Sequence, residues 1–420
     1  MTLWQDRKGN QYRETHRRAP DAGSKHRRIV GSHEYAWKNA SPQERESLRA
    51  DYARLGMPLT TSPDADGNSE YTWFLFEAAG EEAVLWVNGL FSADNIADFS
   101  FAPVDDAGTL ALTLRQKADW VSSYRIARHA GSAPAPWRSA APGRPTVLAL
   151  LKAGKPDPLC KLSSSGSMGE VSLLRGPSAP ETPWQHTLTA GAADSPHGTV
   201  TALPDTEKGE RAWVYSPPGN AANTPLLVLF DGQVWHEKLN LAAQLDHAIN
   251  AGTIAPLHVL LLDSGDQEHR TNHLGVPGGQ VETVIDALLP HVRANWPVSP
   301  LGSDTIVSGQ SFGGIASLWT LALADGQVRH ALAQSPSLWR FRLTDALVRA
   351  LGDWDTLVLS AGHYEGNQLE MAEELSAELL AEKADLDIAL TPVTGGHDWA
   401  WWREELLHYL ARWSRARGAV

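Results

Sequence analysis

Thr305-Ile306-Val307-Ser308-Gly309-Gln310-Ser311-Phe312-Gly313-Gly314-Ile315 is the stretch whose reading decides the fold. The run Thr305-Ile306-Val307 is strand-like, and Ile315-Ala316-Ser317-Leu318-Trp319-Thr320-Leu321-Ala322-Leu323 follows as a predicted helix. Between them lies Gly-x-Ser-x-Gly, a weak pattern alone that gains meaning between a strand and a helix. A nucleophile placed there sits in a strained turn that needs small neighbours, and Gly309, Gly313 and Gly314 supply them. Ser311 is the predicted nucleophile of an α/β-hydrolase. The plainer alternative is a glycine-rich turn without chemistry.

Outward from this turn, short apolar runs alternate with amphipathic segments. Ala212-Trp213-Val214-Tyr215, Pro225 to Phe230, His258 to Leu262, Leu357-Val358-Leu359 and Ile388-Ala389-Leu390 read as strands, and Val281 to Val292 as an amphipathic segment between them. Such alternation predicts a mostly parallel sheet covered on both faces. Residues 196–420 are assigned to this catalytic domain.

The first part of the chain has a different pattern. Tyr71 to Phe76, Ala83 to Val87, Thr109 to Leu114 and Ser122 to Ile126 are β-rich runs separated by turn residues. They predict an N-terminal β-sandwich of immunoglobulin-like type within residues 1–150, preceded by a charged extension to about residue 40. Ser41-Pro42-Gln43-Glu44 is a helix start, and Gly56 is the expected stop. Residues 151–195 are rich in Pro, Ser and Gly and read as a linker.

A serine hydroxyl needs a base, and this fold carries nucleophile, acid and histidine in that chain order. Four histidines follow Ser311: His330, His363, His397 and His408. His397 follows Gly395-Gly396 just after a predicted strand and is the expected base, while His408 falls inside the final helix. Glu365, in the loop after Leu357-Val358-Leu359, is the expected acid, to orient and stabilise the imidazolium. A dyad of Ser311 and His397 is the alternative. Asp353 and Asp355 precede that strand, at its wrong end, and Asp398 reads as the cap of the last helix. One oxyanion donor is expected from the backbone of Phe312. The other is expected from Gly232 or Gln233, after the strand ending at Phe230.

Composition narrows the partners. The chain has 420 residues and a net charge of −13, opposite to the basic surplus of a nucleic-acid binder. It has a single cysteine, Cys160, so no internal disulfide forms. The polar start lacks a signal-peptide core and no run is long enough to span a membrane, so the cytoplasm is the expected location. The 17 tryptophans are an outlier. They suit either a packed core or stacking in a cleft. Oligomeric state is not legible.

Several blocks together resemble the enterochelin (enterobactin) esterases, hydrolases of iron-loaded catecholate siderophores. They are Leu229-Phe230-Asp231-Gly232-Gln233-Val234-Trp235, the turn at Ser311, Gln334-Ser335-Pro336-Ser337-Leu338-Trp339, and Gly395-Gly396-His397-Asp398-Trp399-Ala400-Trp401-Trp402-Arg403. Leu85-Trp86-Val87-Asn88-Gly89 and Ala118 to Tyr124 resemble the family's N-terminal domain, so the likeness runs from about residue 70 to 413. Arg270-Thr271-Asn272-His273-Leu274 departs from it, with His273 where the family has Glu. His269 and His273, four apart, lack a third metal ligand in view, so no metal site is expected.

The resemblance implies a small-molecule partner, a ferric catecholate siderophore whose cyclic trilactone esters are cut. It implies no cofactor, because the iron enters with the substrate. A ferric tris-catecholate is a trianion with aromatic faces, so an acidic protein must supply local cations and rings. Trp235, Arg270, Trp339 and Arg340 are the expected substrate-binding residues on that ground. A general carboxylesterase or acyltransferase, or a catecholate-binding protein on an inactive scaffold, are the alternatives.

Overall fold

Eight short strands build the sheet that carries Ser311. In chain order they are β1 (Thr199–Ala202), β2 (Ala212–Ser216), β3 (Leu226–Phe230), β4 (His258–Leu262), β5 (Thr305–Gln310), β6 (His330–Gln334), β7 (Thr356–Gly362) and β8 (Asp387–Val393). This computed structural model describes residues 3–17, 26–166, 169–182, 197–219 and 221–418. The spatial order is β1-β2-β4-β3-β5-β6-β7-β8. The pairs β1/β2 and β2/β4 are antiparallel and the others parallel. Every residue of β3, β4, β5 and β6 is buried, as expected for parallel strands covered on both faces. β1 and β6 have no counterpart among the predicted strands.

The helix Phe312–Leu323 leaves β5 directly and is buried from Gly313 to Leu323. Its buried hydroxyls are satisfied inside the helix: Ser317 Oγ donates to Gly313 O at 2.9 Å and Thr320 Oγ1 to Ala316 O at 2.8 Å. Trp319 is fully buried, edge-on to Tyr12 at 4.6 Å and to Phe341 at 5.6 Å.

Tyr12 comes from an N-terminal hairpin, Leu3–Gln5 paired with Gln11–Arg13. The Asp6 carboxylate knits its turn, accepting from Lys8 N, Asn10 N, Asn10 Nδ2 and Tyr12 OH at 2.8–2.9 Å. The chain then runs beside the segment after β6: Thr15 N donates to Arg340 O and Arg17 N to Trp339 O. The first residues therefore belong to the catalytic unit, which corrects the boundary expected at 1–150.

The second compact unit comprises residues 21–181 with 394–401. It holds two antiparallel sheets. One contains Arg28–Ile29, Leu59–Thr60, Asn68–Leu75, Ala102–Pro103 and Leu110–Lys117. The other contains Glu81–Val87, Val121–Ala130, Gly154–Lys155, Ser163–Gly166 and Gly169–Arg175. Trp73 of the first meets Tyr124 of the second edge-on at 5.7 Å, and both rings are fully buried. The predicted linker is thus corrected: Gly154–Lys155, Ser163–Gly166 and Gly169–Arg175 are sheet strands, joined to their neighbours by backbone pairing. Its part from 183 to 195 lies outside the described residues.

Pro42–Leu55 is a helix with the expected capping box. Glu44 N donates to Ser41 Oγ and Ser41 N to the Glu44 carboxylate, and Gly56 ends it at φ 88°. Such a cap contributes about 1 kcal/mol.

Candidate active site

Ser311 occupies the turn between β5 and the buried helix at φ 58° and ψ −114°. A non-glycine residue there is strained by roughly 1–3 kcal/mol, and such strain clusters at functional sites. The neighbours explain how the turn closes. A Cβ on Gly309 would lie 2.5 Å from the Gly313 backbone, and one on Gly314 would lie 2.7 Å from Gln334 O. Ser311 N donates to Gln334 O at 3.0 Å, and Ser337 N donates to Ser311 O at 3.0 Å. The helix that starts at Phe312 aims its unpaired N–H groups and positive dipole end toward this turn.

Ser311 is not alone in its conformation. Asp231, directly after β3, has φ 56°, and Ser335, directly after β6, has φ 42°. β3, β5 and β6 are consecutive in the sheet and parallel, so three neighbouring strands end in strained non-glycine residues on one edge. Binding and catalytic groups in α/β sheets gather at the carboxyl ends of strands.

Glu365 lies just past β7 at that edge. Its Oε1 accepts from Gly362 N at 2.6 Å and from Ser335 Oγ at 2.7 Å. Ser335 Oγ accepts in turn from Trp402 Nε1 at 2.9 Å. The carboxylate is therefore held by a strand end and by a strained serine that an indole fixes in turn. Sequence reasoning quoted Ser335 and Trp402 without giving them this task. The signal was their place in blocks rich in polar residues next to apolar strands.

The loop after β3, expected to supply an oxyanion donor, is built as tightly. A Cβ on Gly232 would sit 2.6 Å from the backbone of Leu261 and Leu262, so only glycine fits. The Gln233 side chain donates to Ser264 Oγ at 2.8 Å and accepts from Ser264 N at 3.1 Å. The backbone groups of Gly232 and Gln233 follow β3, and Phe312 follows its neighbour β5.

His397 belongs to the segment 394–401 of the smaller unit, whereas Ser311 and Glu365 belong to the larger. Within its unit, His397 O accepts from Asn88 Nδ2 at 3.0 Å. A Cβ on Gly396 would lie 2.6 Å from Gly89 Cα, which explains the glycine before the histidine. Asp398 accepts from Ala400 N at 3.0 Å and from Ser123 N at 2.6 Å. It caps the helix Trp399–Ala416, and burial pushes its carboxyl above the usual carboxylate range.

Three of the four expected substrate-binding side chains are otherwise engaged. Trp235 is fully buried in the helical turn after β3 and packs as core. Arg340 is buried, donating from Nε to Glu14 Oε1 at 2.9 Å and from Nη1 to Thr271 O at 2.9 Å. The Arg270 guanidinium forms a bidentate pair with Asp231, Nε to Oδ1 at 2.8 Å and Nη2 to Oδ2 at 2.7 Å. Burial would lower its proton affinity, but Asp231 outweighs this and holds it above the ordinary arginine value. Trp339 remains half-buried, its ring 5.9 Å from that of Phe312.

His269 and His273 stack at 4.4 Å, and His269 Nε2 meets Glu210 Oε1 at 3.1 Å. Among the described residues no cluster of three or more His, Cys, Asp or Glu is arranged to hold a metal ion. Nor is any helix among them long and apolar enough to cross a membrane.

Comparison with known proteins agrees with this architecture. A family model described as "Putative esterase" matches residues 206–413. The iron(III) salmochelin esterase of Escherichia coli O6:H1 is 27% identical over 379 residues, covering 84% of this chain and 90% of that one. The iron(III) enterobactin esterase of Dickeya dadantii is 26% identical over 408 residues, covering 88% and 93%. Over most of its length the chain is similar to these iron(III) siderophore esterases, and residues 206–413 carry the esterase pattern. It is a carboxylic-ester hydrolase. The esterase also shares its fold with the ferric enterobactin esterase from Salmonella typhimurium, at a TM-score of 0.73 and 23% identity over 88% of this chain and 99% of that one. The enterobactin esterase from Shigella flexneri, in the presence of enterobactin, gives a TM-score of 0.73 at 24% identity over 88% and 98%.

Proposed function

We propose that the esterase hydrolyses the trilactone esters of ferric enterobactin-type catecholate siderophores, with Ser311 as nucleophile, His397 as base and Glu365 as the acid that orients it. The strained turn at Ser311 carries this reading, because a non-glycine residue at φ 58° between a buried strand and a buried helix has a chemical purpose that packing alone does not supply. The held carboxylate of Glu365 supports the triad over the dyad. Relatives named for iron(III) salmochelin and iron(III) enterobactin support the substrate class.

In this mechanism His397 removes the Ser311 proton as Oγ attacks a lactone carbonyl. The N–H groups of Phe312 and of Gly232 or Gln233 receive the developing negative charge. The tetrahedral intermediate collapses, and the seryl oxygen leaves with the proton from His397. Water, deprotonated by His397, then attacks the acyl-enzyme and frees Ser311. Each opened ester removes covalent preorganisation from the three catecholates, which weakens their hold on iron. Iron is cargo in this scheme, and the cytoplasm is the compartment we propose for its release. The half-buried Trp339, beside Phe312, is the aromatic group we propose to stack on a catechol ring.

The test is a comparison of kcat/KM on ferric enterobactin and on p-nitrophenyl acetate, with Ser311→Ala as control. A strong preference for the trilactone, lost in Ser311→Ala, is expected. Equal efficiency on both would favour a general carboxylesterase. Turnover surviving in Ser311→Ala would overturn the assignment of the nucleophile.

A further inference from the structure

We infer that the Asp231–Arg270 ion pair is a positioning clamp for the oxyanion hole, with Arg270 acting through Asp231 and Phe312 and making no contact with the substrate. This rests on the reading of Ser311 as an acyl-transfer nucleophile.

The two proposed oxyanion donors come from different segments, the loop after β3 and the helix start after β5. Donors of this kind work only when held about 2.7–3.1 Å from the developing charge. The Asp231 loop carries one of them in a strained backbone, φ 56°, which must be stabilised from outside. Asp231 Oδ1 accepts from Ser264 Oγ at 2.6 Å and from Arg270 Nε at 2.8 Å, and Oδ2 accepts from Arg270 Nη2 at 2.7 Å. Ser264 in turn fixes the Gln233 side chain on the other flank of Gly232.

The same guanidinium reaches the side chain of the residue that would supply the second donor. Its carbon lies 5.3 Å above the centre of the Phe312 ring. Further along the same segment, Gly275 approaches Phe312 closely enough that a Cβ would lie 3.0 Å from Phe312 O. Arg270 thus touches both halves of the hole, while its charge is balanced by Asp231. A planar fork binds a carboxylate in two places at once, which an ammonium does not reproduce.

The experiment compares wild type, Arg270→Lys, Asp231→Asn and the double variant. Wild type must turn over p-nitrophenyl acetate and Ser311→Ala must not; failure there overturns the nucleophile reading, and with it this inference. Given that activity, each single variant is expected to lose about 10²-fold in kcat, on the scale of a disturbed oxyanion donor. KM should stay within about threefold, because no ground-state contact is removed. Inhibition by benzeneboronic acid, which mimics the tetrahedral species, should weaken by the same factor as kcat. The double variant should be no worse than the weaker single, because the two residues share one interaction. If Arg270→Lys does not fold, Asp231→Asn is read in the same way. Unchanged kcat with KM for ferric enterobactin raised tenfold or more would make Arg270 a substrate ligand and overturn the clamp, and so would failure of both single variants to fold.

Discussion

The Ser335 hydroxyl donates to Glu365 Oε1 at 2.7 Å, from a serine that is itself strained at φ 42° and fixed by Trp402 Nε1. A surface loop carboxylate has no need of such support, whereas an acid that must orient an imidazole does. Glu365→Gln is expected to lower kcat by about 10³- to 10⁴-fold, as when a triad acid is neutralised. Ser335→Ala is expected to lower it by about tenfold, the worth of one hydrogen bond to a charged group. Steady-state kinetics on p-nitrophenyl acetate check both. Full activity in both variants would leave a Ser311–His397 dyad.

Trp339 is half-buried, with its ring beside that of Phe312. Trp339→Ala should raise KM for ferric enterobactin by roughly tenfold, the loss expected when one stacked ring is removed. KM for p-nitrophenyl acetate should change little, since it lacks a catechol to stack. A parallel change on both substrates would assign Trp339 to packing against Phe312.

His258 makes stability depend on pH. Burial pulls its imidazole down to about 4, with Nδ1 2.6 Å from Thr224 Oγ1. The unfolded chain binds this proton with a pKa near 6.5. Between these values the unfolded state holds more protons, so stability rises with pH and is lost as pH falls through the window from 6.5 toward 4. Urea unfolding from pH 7 to 4.5 should show this slope. In His258→Gln it should flatten; an unchanged slope would assign it to other groups.

Trp319→Ala removes a fully buried indole between Tyr12 and Phe341. A loss of about 3–5 kcal/mol is expected from urea midpoints. A loss under 1 kcal/mol would mean that the core collapses into the gap without cost.

The central turn was legible because it is local: a strand, three glycines and an apolar helix in one window. Two-sided burial made β3 and β4 readable as well. β6 was missed because His330-Ala331-Leu332-Ala333-Gln334 is short and opens and closes on polar residues. The N-terminal hairpin was missed because its turn depends on Asp6 and its packing on Trp319, more than 300 residues away. Among candidate site residues, Ser311 and Glu365 are legible from their places just past strands β5 and β7. The commitment of Arg270 and Arg340 to Asp231 and Glu14 was invisible, since sequence reveals a charge but not its distant partner. Ser163-Ser164-Ser165-Gly166 likewise carries no apolar residue to mark it as a strand, although it pairs with Gly169–Arg175 through backbone groups.

The most direct test of the account is a covalent label. Wild-type protein treated with a fluorophosphonate, then digested and mapped by mass spectrometry, should carry one adduct, on Ser311, with ester turnover lost in step with labelling. An adduct on any other residue, or turnover that persists while Ser311 is fully labelled, would contradict it.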